Sequence, residues 1–123
     1  MKVLKNVFHL FPKISGMYTV NGTRLVERGF WIFGRVKVET YPLGYIDLDL
    51  SNGYVRALIF DANGEKIGSI LHDKNEILDV YVFDNDSNEL IHATDKDHDR
   101  IVKYFEDLLF RVVEFSPLDT LPS

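Results

Sequence analysis

A chain of 123 residues with 46% apolar, 27% charged and 13% aromatic side chains has the size and composition of one domain built around one hydrophobic core. It contains no cysteine, which excludes disulfide scaffolds, thiolate zinc sites and cysteine nucleophiles. The net charge is −5, from 14 basic and 19 acidic side chains, and the densest basic stretch, Arg35-Val36-Lys37, is one strand face rather than a stripe. Direct nucleic-acid binding is therefore disfavoured, because counterion release needs a basic track.

The start, Met1-Lys2-Val3-Leu4-Lys5-Asn6, is interrupted by charge before a signal-peptide core forms, and no run reaches the roughly 18 apolar residues of a membrane span. The expectation is a cytoplasmic protein without a membrane partner. Residues 3–11 place Val3, Leu4, Val7, Phe8, Leu10 and Phe11 at spacings of three and four, which predicts a short helix stopped by Pro12, with an N-terminal strand as the alternative. From Gly16 the period changes to two. Asn21-Gly22, Asn52-Gly53 and Asn63-Gly64 predict type I′ hairpin turns, and Asp84-Asn85-Asp86-Ser87-Asn88 a longer one. The pattern predicts an antiparallel β-meander of about seven strands, as a strongly bent sheet or a small barrel.

Hairpin registers follow from the turns. A two-residue loop at Asn52-Gly53 sets Leu50 against Val55, Leu48 against Ala57 and Ile46 against Ile59, with Asp49 opposite Arg56 on the other face. A loop at Asn63-Gly64 sets Ala57 against Ile70 and Phe60 against Ile67. Tyr45, Leu58, Phe60 and Ile67 then make one end of the second face apolar. A helix lying across that end would cover it.

Thr94 is a natural N-cap, with Asp95, Asp97 and Asp99 near the positive end of the helix dipole. The helical pattern runs to about Phe115. Ile101, Phe105, Leu108, Leu109, Val112 and Val113 share one side, which Val102, Tyr104 and Phe115 widen to about half the circumference. Phe110 projects among the charges of the other half. The predicted class is α+β: the meander with this C-terminal amphipathic helix packed on it. One globular domain spans 1–115, and residues 116–123 form an irregular tail.

Few residues suggest chemistry. Asp84, Asp86, Asn88, Ile91 and Asp95 match several positions of a calcium loop, but Glu89 stands where that loop needs glycine, so a hairpin turn explains them better. His92 and His98 match no metal spacing, and His9 and His72 have no evident partners. No serine occupies a nucleophile elbow. Asp47 and Asp49 share a strand face, but Asp49 already faces Arg56. Thus no catalytic, cofactor or metal residue is assigned.

The remaining signal is aromatic. Trp31, Phe33 and Tyr41 alternate on one strand face, and Phe110, with Arg111 and Glu114 nearby, leaves the charged side of the helix. Aromatic rings among charges are usual anchors of protein interfaces. These six residues are the interface candidates. The expected function is a non-enzymatic module that binds another protein or assembles with itself as a homodimer or larger oligomer, including the case of an acidic inhibitor of another protein. A binder of a small apolar ligand between sheet and helix is the alternative. A hydrolase using Asp47 and Asp49, or the histidines, comes third.

Overall fold

A computed structural model describes residues 11–28, 35–51, 53–73 and 76–121 of the chain. Among the described residues, seven strands form one antiparallel sheet, and one helix packs on it. In chain order these are β1 (Gly16–Arg28), β2 (Arg35–Ser51), β3 (Tyr54–Phe60), β4 (Lys66–His72), β5 (Ile77–Asp84), β6 (Glu89–His92), α1 (Asp95–Arg111) and β7 (Glu114–Pro117). The sheet order is β6-β5-β4-β3-β2-β1-β7. Among the described residues it is open, with β6 and β7 as its edges, and does not close into the small barrel that was the alternative. The N-terminal helix or strand predicted over residues 3–11 lies almost wholly outside the described residues, of which only Phe11 belongs to it.

The β2–β3 register is the one the side-chain pattern dictates: Ile46 faces Ile59, Leu48 faces Ala57, Leu50 faces Val55, and Asp49 faces Arg56. Gly53 has φ +82° and Ser51 pairs with Tyr54, which makes the loop two residues long. The β3–β4 register holds from Val55 to Ile59, with Ala57 against Ile70. It then shifts by one, so that Phe60 faces Lys66 and not Ile67. The reason lies in the turn. The Gly64 N–H donates to the Asp61 carbonyl and Gly64 alone takes a positive φ, giving a three-residue loop with a bulge where a type I′ turn was expected. The Asp61 carboxylate locks this form by accepting from the N–H groups of Asn63 and Glu65, each at 2.9 Å.

Asn21-Gly22 makes no turn. It lies inside β1, at a bulge where Val20 faces Gly44 and Asn21 faces Pro42, leaving Leu43 as the extra residue. Pro42, which has no N–H to give, is tolerated at such an irregularity. On its other side Asn21 is held by β7: its carbonyl accepts from Val113 N–H at 2.8 Å and its Nδ2 donates to Ser116 Oγ at 2.8 Å. Pairing on both flanks overrides the local turn preference.

The helix ends at Arg111, four residues earlier than its apolar pattern. Val112 is already extended, and the free edge of β1 takes Glu114 to Pro117 as β7. Two adjacent β-branched residues weaken the helix there while a ladder position is available beside it. Ser116 and Pro117, expected in an irregular tail, are thus part of the sheet. Phe115 leaves the helical arc altogether and its ring lies 5.2 Å from that of Phe11.

The helix rises about 25 Å over its length. The two edges of a seven-stranded sheet lie roughly 29 Å apart, so α1 can carry the chain from β6 back to the opposite edge. It crosses the face of Ile46, Leu48, Ala57, Ile59, Ile70, Val80 and Val82, burying Ile101, Phe105, Leu108 and Leu109 against them. This is the opposite face from the one that Tyr45, Phe60 and Ile67 were expected to offer it. Tyr45 and Phe60 are nonetheless buried. None of the helices among the described residues is long and apolar enough to cross a membrane.

Beyond Asn21 and before Gly44 the sheet narrows. Among the described residues β3 pairs with β2 only from Tyr45 onward, and β7 pairs with β1 only over Tyr18 to Asn21. Residues 22–28 and 35–41 therefore form a two-stranded arm that leaves the body of the sheet.

His72, at the end of β4, is fully buried on the core face. Its Nδ1 meets the Asp73 carbonyl and its Nε2 has no hydrogen-bond partner among the described residues. Burial pushes its pKa below the ordinary histidine value, outweighing the hydrogen bond to Asp73. Because the folded pKa is lowered, stability is fully present above the unfolded value of about 6.5 and falls as pH drops toward the folded value, the unfolded chain taking up a proton the folded one refuses. Urea unfolding between pH 8 and pH 5 should show this decline, and His72→Leu should flatten it. An equally steep decline in H72L would assign the acid sensitivity elsewhere.

Candidate interaction surface

The C-terminal end of α1, the start of the arm and β7 converge on one patch. Arg111, in the last turn of α1, donates from Nη2 to the Tyr41 hydroxyl at 2.5 Å and from Nη1 to Asp107 at 3.3 Å. The hydrogen bond to Asp107, and the contact with Tyr41, hold the guanidinium firmly in its charged form. Tyr41 is half-buried at the base of the arm, and the Arg24 guanidinium lies 5.1 Å from its ring centroid. Tyr41 thus sits between two arginines, one from the helix and one from β1.

Glu114 opens β7 opposite Asn21 and accepts from Ser116 Oγ at 2.7 Å. The next register position along β1, Gly22, faces Tyr41. Next to Arg111 and Glu114 along the chain are two exposed apolar side chains. Phe110 is 81% exposed, and Val113 is exposed too. Of the six candidates, Tyr41 and Arg111 are in direct contact, while Phe110 precedes Arg111 in the last turn of α1 and Glu114 follows it at the start of β7. Trp31 and Phe33 lie outside the described residues. Arg24 and Val113 were missed as candidates: the first requires knowing which side chain lies over the Tyr41 ring, the second that the helix stops before it.

Asp47 and Asp49 line a second feature, a depression of about 320 Å³ on the sheet face away from α1. Arg56, Leu58, Ser69, Tyr81 and Leu90 complete its wall. On the same face His92 approaches Asp79 at 3.3 Å and packs edge-on against the Tyr81 ring. His98 is not part of that group and lies beside Asp99 at the start of α1. The segment resembling a calcium loop is a hairpin between β5 and β6. Asp84 accepts from both the N–H and the hydroxyl of Ser87, which holds its carboxyl below the usual range, and Asn88 takes the left-handed conformation.

Comparison with protein-family models, with curated proteins and with solved structures finds no significant match.

Proposed function

We propose that the chain is a non-enzymatic protein-binding module whose contact surface centres on Phe110 and is framed by Tyr41, Arg111 and Glu114. One observation carries the reading: a phenylalanine 81% exposed on a helix whose other large apolar residues are buried or half-buried. Phe110 lies outside the buried cluster, and with the exposed Val113 it leaves apolar surface near the end of α1 open to a second surface. The pinned Arg111 and Tyr41 beside it supply an oriented rim of the residue types found at binding hot spots. The occupant is another protein or a second copy of the chain.

Capture from the native cell, run in parallel with wild type and Phe110→Asp, tests the reading, with sedimentation of both for the self-association case. F110D should leave stability within about 0.5 kcal/mol and weaken the captured contact by at least about thirtyfold, the loss typical of a hot spot. A variant that retains every contact of wild type removes Phe110 from the function.

A further inference from the structure

The charge of the chain is unevenly distributed. Residues 22–41 hold four basic and two acidic side chains, so the rest of the chain carries the whole acidic excess. The acidity is densest at residues 84–99, where six carboxylates accompany a single lysine. This segment contains β6, the edge strand at the far side of the sheet from the arm.

Each of these regions also exposes apolar side chains and, among the described residues, a strand edge without a further strand beside it. On the arm Leu25 faces Val38 across the two strands, and they are 73% and 61% exposed. A free-standing two-stranded ribbon is marginal in water, and it gains most from adding a third strand or an apolar cover. On β6 every residue is exposed, with Leu90 and Ile91 at 40% and 44%. Its outer edge has no strand partner among the described residues. Asp86, Glu89, Asp95 and Asp99 around it are exposed as well. An open edge of this kind is a template for a further strand.

From these matched features we propose that the arm of one copy adds edge to edge along β6 of a second copy. Leu25 and Val38, which share one face of the arm, then cover Leu90, while Arg24 and Lys37 on the other face lie on the side of Ile91 and Glu89 and meet the carboxylates around β6. The contact is heterologous: the two surfaces differ and lie on opposite sides of the molecule. Repetition therefore gives a head-to-tail chain or ring rather than a symmetric dimer. Apart from Arg24, which also lies over the Tyr41 ring, the inference stands on other residues than the Phe110 surface, although a self-assembling chain would use both.

The test is a mixing experiment in which every chain carries Phe110→Asp, so that only this contact is read. Leu25→Asp with Val38→Asp removes the arm surface, and Leu90→Lys with Ile91→Lys reverses the edge. All four positions are exposed, and circular dichroism checks the fold of each variant. By sedimentation, the F110D parent should grow beyond a dimer with concentration, and raising salt from 20 to 500 mM should weaken it about tenfold. Each double variant alone should be monomeric, and an equimolar mixture should form a 1:1 dimer that grows no further. A mixture that stays monomeric overturns the proposal. So does an edge variant that dimerises by itself, since that result assigns arm-to-arm pairing. If a double variant fails to fold, a parent that is monomeric at every concentration and salt is equally decisive against it.

Discussion

Phe105→Ala is expected to lower the unfolding free energy by about 3–5 kcal/mol, the usual loss for truncating a buried phenylalanine. Domains of this size are stable by roughly 5–15 kcal/mol, so the loss is a large fraction of the total. Phe105 lies in the middle of α1, is 1% exposed, and packs in one cluster with Ile101 and Leu109 of the helix and Ile59, Ile70 and Val80 of the sheet. The helix crosses the sheet once, so a cavity there can close only by moving the helix as a whole. Urea titration should show a lower midpoint with an unchanged slope. Phe110→Ala, five residues on, should change stability by no more than about 0.5 kcal/mol. Equal losses at the two positions would mean that the helix does not divide into a core face and a binding face.

Gly68→Ala should destabilise by about 1–3 kcal/mol, and Gly68→Val by more, through crowding rather than a cavity. A Cβ at Gly68 would lie 2.4 Å from the Tyr81 carbonyl oxygen of β5 and 2.9 Å from Ile101 Cδ1 of α1. The site is therefore closed both by a neighbouring strand and by the helix above it. Adding Ile101→Val removes the methyl on the helix side and should restore only part of the loss, because the carbonyl belongs to the sheet backbone. Complete rescue would show that the helix alone sets the limit. No effect of G68A would mean that β4 and β5 separate at little cost, contrary to their tight pairing.

These two positions also show what was legible in the sequence. The apolar spacing of Ile101, Phe105, Leu108 and Leu109 identifies the helix and its buried side, because the signal is local and strongly periodic. The β2–β3 register is equally legible: one alignment satisfies both the apolar face and the Asp49–Arg56 opposition. Failures came where distant pairing outweighed local preference. Asn21-Gly22 has the composition of a turn, but β2 and β7 hold it extended. Val112 and Val113 continue a helical pattern, but the open edge of β1 draws the chain into a strand. The shift at Phe60 depends on the Asp61 side chain choosing one loop form over another. For the interaction surface, exposure of Phe110 could be read from its charged neighbours, whereas the Arg111–Tyr41 contact spans 70 positions and follows only from the fold.

The return of β7 to the edge of β1 has a kinetic consequence. Tyr18 pairs with Pro117 about a hundred positions further along the chain, and contacts of such separation form late because loop closure must be paid for first. β2 to β6 can zip through short hairpins while the outer side of β1 is still bare. During that interval the molecule is a nearly complete sheet with a raw flank, the kind of species that captures stray strands from its neighbours. How quickly the last strand lands will therefore govern how concentrated a refolding solution can be before it precipitates.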